Sequence, residues 1–193
     1  MKPTNIFLVR HGQSLGNVDK TVYSTTPDYA VPLTETGHAQ AEEAGKKLIE
    51  LSSYPDDIFF YISPFRRTKE TFLGLTKHMD PTLVKYREEV RLREQEWSGR
   101  MRADDFDEAM GFYTEREREA YSRFYYRFDG GESCADVFDR VSGMLDTVHR
   151  DFEKENFPNN CVFVGHGMTM RVMLMRWFHW TVEDFELLKN PHN

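Results

Sequence analysis

The chain has 193 residues, 30% of them charged and 39% hydrophobic, and a formal net charge of −7. That composition fits one soluble globular domain spanning 1–193, with no apolar run near the ~20 residues needed to cross a bilayer. The acidic balance argues against a nucleic acid or an anionic membrane surface as the main partner, since both require a basic face to neutralise phosphates.

Met1-Lys2-Pro3-Thr4-Asn5 leads straight into a strand-like run with no secretory apolar region, so a cytoplasmic location is expected. Ile6-Phe7-Leu8-Val9 predicts a buried strand, and it delivers Arg10, His11 and Gly12 to its own tip. Leu15 to Tyr29, rich in Gly, Asn, Asp, Ser, Thr and Pro, predicts a loop with at most a short helical turn. Thr34 suits the N-cap of a helix running to about Leu51, with Ala39, Ala41, Ala44, Leu48 and Leu51 toward a sheet.

Residues 58–62 predict a second buried strand that stops at Ser63-Pro64-Phe65-Arg66-Arg67, followed by a helix from Thr68 to His78. Leu83 to Leu92 alternates as a short exposed strand does. Residues 100–129 form a charged, aromatic-rich insertion in which Tyr121, Phe124, Tyr125 and Phe128 fall at helical spacing. That stripe predicts a helix packed on the body, or a cap whose aromatics and arginines shape a pocket. Cys134 to about Asn156 predicts a further helix, capped by Ser133 or Glu132, with Val137, Val141, Met144, Leu145, Val148 and Phe152 on one face. Cys161-Val162-Phe163-Val164 predicts a third buried strand, ending at Gly165-His166-Gly167 before a helix from Met168 to Phe178. Cys134 and Cys161, the only cysteines, lack zinc-ligand spacing and read as reduced structural thiols.

Three buried strands that each end in Arg or His predict an α/β fold with a mostly parallel central sheet, whose strand tips gather at one edge. Arg10-His11-Gly12 with Ser14 and Asn17 resembles the R-H-G-x-S-x-x-N signature of the histidine phosphatase (phosphoglycerate mutase-like) superfamily, branch 1. In chain order, Leu33-Thr34…Gly37…Gln40-Ala41 is similar to its L-T-x-x-G-x-x-Q-A element, and Ser63 to Thr71 to its S-P-L-x-R-A-x-Q-T element. Leu92-Arg93-Glu94 resembles its L-x-E turn, and Gly130-Gly131-Glu132-Ser133 and Gly165-His166-Gly167 match later elements. Leu92-Arg93-Glu94-Gln95, followed by an acidic and an aromatic residue, looks closest to broad phosphoglycerate mutase-like phosphatases of plants and fungi. The resemblance implies a three-layer α/β/α sandwich.

It also implies roles. His11 would be the nucleophile, because a neutral imidazole nitrogen can attack phosphorus and form a phosphohistidine that divides one difficult transfer into two. Arg10, Arg67 and His166 would hold the phosphoryl oxygens, Asn17 would touch the phosphate, and backbone amides around Gly12 and Gly167 would approach it. Glu94 would protonate the leaving group and then activate water. Arg66 competes with Arg67 for the arginine role, and Glu96 with Glu94 for the acid. No metal or cofactor is implied; the expected partners are a phosphorylated small molecule and phosphate, with oligomeric state open.

Phosphatases and 2,3-bisphosphoglycerate-dependent mutases share these residues. Gly16 stands where mutases typically have tryptophan, Met168 where they have asparagine, and Glu96 to Arg102 matches their post-glutamate run poorly. A phosphomonoesterase is therefore expected, with a mutase as the alternative and a non-catalytic phosphate-binding module as a further one.

Overall fold

The computed structural model describes residues 3–52, 54–55, 57–97 and 116–189. Four parallel strands form a sheet in the order β1 (Asn5–Arg10), β4 (Asn160–Gly165), β2 (Ile58–Ile62), β3 (Val84–Glu88). β4 is buried along its whole length because it lies between two strands and under helices on both faces, which is why residues 161–164 form an unbroken apolar run. Edge strand β3 instead alternates and is mostly exposed.

The period-two alternation of the strands sorts their side chains into two cores. Leu8, Phe59, Tyr61, Cys161 and Phe163 pack under α5 (Cys134–Phe152) and α6 (Gly167–Phe178). Phe7, Val9, Ile58, Phe60, Ile62, Val162 and Val164 pack under α2 (Glu35–Leu51) and α3 (Arg66–Thr76). The result is the expected three-layer α/β/α sandwich.

Helix α5 follows the predicted stripe: Val137, Val141, Met144, Leu145, Val148 and Phe152 are all buried, and Ser133 caps the helix with Asp136 completing a reciprocal box. It stops at Phe152, short of the expected Asn156. In α2, Thr34 caps Gly37 as expected, but the buried face is Gly37, Ala41, Gly45 and Leu48, while Ala39 and Leu51 are exposed. The reason is close approach of α3: a Cβ on Gly45 would lie 2.5 Å from the Leu75 carbonyl oxygen.

Two regions depart from the sequence reading. Between Leu15 and Tyr29 the chain is more ordered than a loop, forming α1 (Leu15–Val18) and two 3₁₀ turns, Lys20–Ser24 and Asp28–Ala30. The aromatic stripe is not one helix: residues 116–121 are helical (α4), and the chain then turns. The Ser122 hydroxyl oxygen accepts from the Phe124 and Tyr125 amides, a local turn that competes with helix continuation. Phe124 alone is buried, against Phe138 and Phe185, while Tyr121 and Tyr125 remain exposed. Residues 100–115 of the expected cap, including Arg100 and Arg102, lie outside the described residues. A short α7 (Val182–Leu187), which the sequence reading did not include, docks Phe185 on this core. No helix among the described residues is long and apolar enough to cross a membrane.

Candidate active site

Because all four strands run the same way, their carboxyl ends share one edge, and the register aligns them. Arg10 pairs with Gly165, and Ile62 with both Val164 and Glu88. The His11 amide donates to the Gly165 carbonyl (3.0 Å) and the Ser63 amide to the Val164 carbonyl (3.0 Å), so the ladder extends one residue past each strand. His11 and His166 are thereby placed side by side, ring centroids 5.3 Å apart and nearly edge to face.

His11 is 5% exposed. Its Nδ1 lies 2.7 Å from the Gly12 carbonyl oxygen, which can only accept, so Nδ1 carries the hydrogen. Burial and the charges of Arg67 and Arg10 outweigh that hydrogen bond and push the imidazole pKa down to about 3. The ring is therefore neutral near pH 7, with its lone pair on Nε2.

His166 is fully buried, and its Nε2 lies 2.7 Å from Ser63 Oγ. With that hydroxyl donating, the imidazole hydrogen sits on Nδ1, the atom left without a hydrogen-bond partner among the described residues. Burial, then Arg67 and His11, hold His166 well below its ordinary pKa. Any donor role for it therefore uses a neutral N–H and not an imidazolium.

Arg67 is 4% exposed, whereas Arg66 points outward to Glu70 (2.7 Å) and is far more exposed. Arg67 Nη1 donates to both the backbone and the carboxylate oxygen of Asp28 (2.7 Å each), and Nη2 approaches the second carboxylate oxygen (3.4 Å). These bonds leave the Nε–H and one Nη2–H, which form the side-on fork that suits an oxyanion. Arg10 is depressed by burial, raised by Glu94 and lowered by Arg67, so all three share the pocket.

The Glu94 carboxylate sits at the N-terminus of α6. It accepts from the Thr169 amide (3.2 Å) and from the Met168 amide at 3.4 Å, while the Thr169 hydroxyl beside it gives its one hydrogen to the Arg93 carbonyl (2.7 Å). Its loop is fixed from behind: Gln95 Nε2 donates to the Glu132 carbonyl, Arg140 to the Arg91 and Glu94 carbonyls, and the Glu132 carboxylate pairs with Arg93 and Arg140. Glu96 is exposed and meets Glu132 through its backbone amide.

One expected phosphate contact, the Gly12 amide, is corrected. The Gly12 amide donates to Thr71 Oγ1 (3.1 Å), and the missing side chain is required by Gly37, whose carbonyl oxygen would lie 2.4 Å from a Cβ. Gly12 thus packs the strand tip onto α2 and α3 and orients His11 through its carbonyl. Asn17 is exposed, and its side-chain oxygen accepts from the Ser14 amide (2.9 Å) and hydroxyl (3.0 Å), capping α1 through the acceptor end of its amide, while a contact to an anion would use the donor end. Gly167 is the buried first residue of α6, and the two amides that follow it go to Glu94.

Ser63, Thr71 and Asp28 were not singled out in the sequence, nor were Lys20 and Tyr23, which border the opening. Only Ser63 carried a signal, as the residue directly beyond the second strand.

A parallel sandwich that gathers two imidazoles, two guanidinium groups and a carboxylate at its strand tips is the arrangement the sequence resemblance implied. The family model for the histidine phosphatase superfamily (branch 1) matches residues 6–193, and the chain belongs to that superfamily. It is 44% identical over 208 residues to the phosphoglycerate mutase-like protein AT74 of Arabidopsis thaliana, a match covering 99% of this chain and 63% of that protein. The chain therefore spans less than two thirds of that relative's length. It is 27% identical over 284 residues to the broad-range acid phosphatase DET1 of Saccharomyces cerevisiae, covering 100% of this chain and 84% of that protein. A mycobacterial glucosyl-3-phosphoglycerate phosphatase complexed with VO3 shares the fold, with a TM-score of 0.74 at 23% identity over 96% of this chain and 87% of the other.

Proposed function

We propose that this chain is a phosphomonoesterase acting on phosphorylated small molecules through a phosphohistidine at His11. The observation that carries the reading is the His11 tautomer: Nδ1 tied to the Gly12 carbonyl leaves a neutral ring with its Nε2 lone pair beside Arg10, Arg67 and His166. In the first step Nε2 attacks phosphorus, a P–N bond forms and the bond to the leaving oxygen breaks, with Glu94 giving that oxygen a proton. In the second, water loses a proton to Glu94 and attacks phosphorus, phosphate leaves, and Nε2 recovers its lone pair. Arg10, the free fork of Arg67 and the Nδ1–H of His166 hold the equatorial oxygens, whose charge is spread in a loose transition state.

The acid phosphatase name of the yeast relative supports hydrolysis, as do Gly16 and Met168, which depart from the mutase pattern. The test is p-nitrophenyl phosphate hydrolysis together with trapping of an acid-labile phosphoenzyme. Turnover with labelling at His11 is expected. Binding of phosphate without turnover would instead favour a non-catalytic module, and rapid interconversion of phosphoglycerate isomers in the presence of 2,3-bisphosphoglycerate would favour a mutase.

A further inference from the structure

The Asp28 carboxylate lies at the opening of the site, its side chain 31% exposed, capping the inner Arg67 at 4%. It is delivered by the 3₁₀ turn Asp28–Ala30, in a stretch whose sequence reads as loop with at most a short helical turn. Two further side chains of this stretch reach the same opening. Tyr23 is raised by burial and by Asp28, lowered by Arg67 and raised by Glu94. Its hydroxyl occupies the space above Gly16, where a Cβ would lie 2.2 Å from it. Lys20, whose ammonium is 6.0 Å from the Tyr23 ring centroid, is lowered by partial desolvation and Arg10, raised by Asp28 and lowered by Arg67. Asp28 and Glu94, which faces the leaving group in the mechanism above, therefore border one mouth.

The charges around that mouth are close to balanced. Arg10, Arg67 and Lys20 face Asp28 and Glu94, both histidines are neutral, and Arg171 approaches Glu94 from behind α6, where it donates to the Phe185 carbonyl. A phosphoryl dianion with Glu94 protonated uses up the positive charge of Arg10, Arg67 and Lys20 that Asp28 leaves over. A second negative charge on the leaving group then meets the Asp28 carboxylate with no further cation facing the mouth among the described residues, in a region where burial weakens screening. Like-charge juxtaposition of this kind discriminates by repulsion.

We propose that Asp28 is a specificity-determining residue that selects monoesters with an uncharged leaving group and turns away those carrying a second acidic group. This rests on the hydrolase reading and deepens it.

The test compares glycerol 3-phosphate with 3-phosphoglycerate, which differ in one terminus, CH2OH against carboxylate, with p-nitrophenyl phosphate as the reference substrate. The kcat/KM ratio should favour glycerol 3-phosphate by about tenfold or more in the unaltered chain, the scale of one unfavourable charge contact. Asp28→Asn keeps the backbone and side-chain oxygens that Arg67 Nη1 meets, gives up only the longer contact to Nη2 and removes the charge, and should shrink the ratio about tenfold; Asp28→Glu should preserve it. A role confined to holding Arg67 would depress both substrates together and leave the ratio unchanged, so an unchanged ratio in Asp28→Asn overturns the proposal. So does an unaltered chain that prefers 3-phosphoglycerate. Absence of p-nitrophenyl phosphate turnover sinks the hydrolase reading first, and this inference with it.

Discussion

Two clusters of charge built on this sheet are finished in opposite ways. On the α5 face, both oxygens of Asp151 are taken, by Tyr61 Oη (2.8 Å), Arg87 Nη2 (2.6 Å) and Lys154 Nζ (2.6 Å). Burial resists the charge there, but the three donors outweigh it and hold the carboxyl below its ordinary range. At the strand tips, two guanidinium groups crowd two buried imidazoles, and the Nδ1 of His166 has no partner among the described residues. A fold tolerates a buried polar atom without a partner only at a cost of about 1–3 kcal/mol. Each cluster holds a buried donor without a partner among the described residues, Arg87 Nε in one and His166 Nδ1 in the other, so charge separates them: three donors converge on one carboxylate in the structural cluster, while mutually repelling cations crowd two imidazoles in the one that awaits an anion.

The contrast breaks down most visibly if His11→Ala retains activity. Loss of the imidazole should lower kcat by at least about 10⁴-fold and abolish acid-labile phosphate labelling, measured with p-nitrophenyl phosphate and by mass spectrometry of quenched protein. Asp151→Ala should act on the other side of the comparison. It strands the buried Tyr61 hydroxyl and should cost about 2 kcal/mol of stability in a denaturant titration while leaving kcat/KM within about twofold. A large kinetic effect there would erase the distinction between the clusters.

Ser63→Ala sharpens the picture within the site. Ser63 fixes the His166 ring through Nε2, so its removal should lower kcat about tenfold, the value of one hydrogen bond near 1.4 kcal/mol, with little change in melting temperature. An unchanged kcat would mean that the tautomer of His166 is immaterial.

Acid should show the smallest effect per step. Unfolded histidine titrates near pH 6.5, whereas His11 in the fold is pushed to about 3 and His166 is also lowered well below its ordinary value. The unfolded chain therefore takes up these protons first, and stability is lost as pH falls through 6.5 toward 3. The loss is about 1 kcal/mol per pH unit per imidazole, and His11→Gln should flatten that slope in melting curves. Stability that rises on acidification from pH 6.5 to 5 would contradict the assignment of neutral imidazoles.

What could be read ahead of the structure follows from the same physics. The buried strands and α5 were legible because an apolar run or a 3.6-residue stripe reports a buried surface directly. Arg10, His11 and His166 were legible because each stands at the end of such a run. Asp28, Lys20 and Tyr23 were not, since a 3₁₀ turn has no apolar period and their meaning comes from Arg67, far away in sequence. Gly12 was expected to turn its amide to the phosphate, yet that amide meets Thr71, and the side-chain space is filled by the Gly37 backbone, partners that lie far off in sequence. The stripe from Tyr121 to Phe128 had the spacing of a helix, but Ser122 supplied a competing turn that spacing cannot reveal.

The most direct measurement is a crystal structure of the chain soaked with orthovanadate. The oxyanion should lie within bonding reach of His11 Nε2, with the Nδ1–H of His166, Arg10 and the free Nε/Nη2 fork of Arg67 donating to its oxygens. Vanadate seated away from His11, or touching one imidazole while the other turns aside, would contradict the claim that the strand tips enclose a single phosphoryl group.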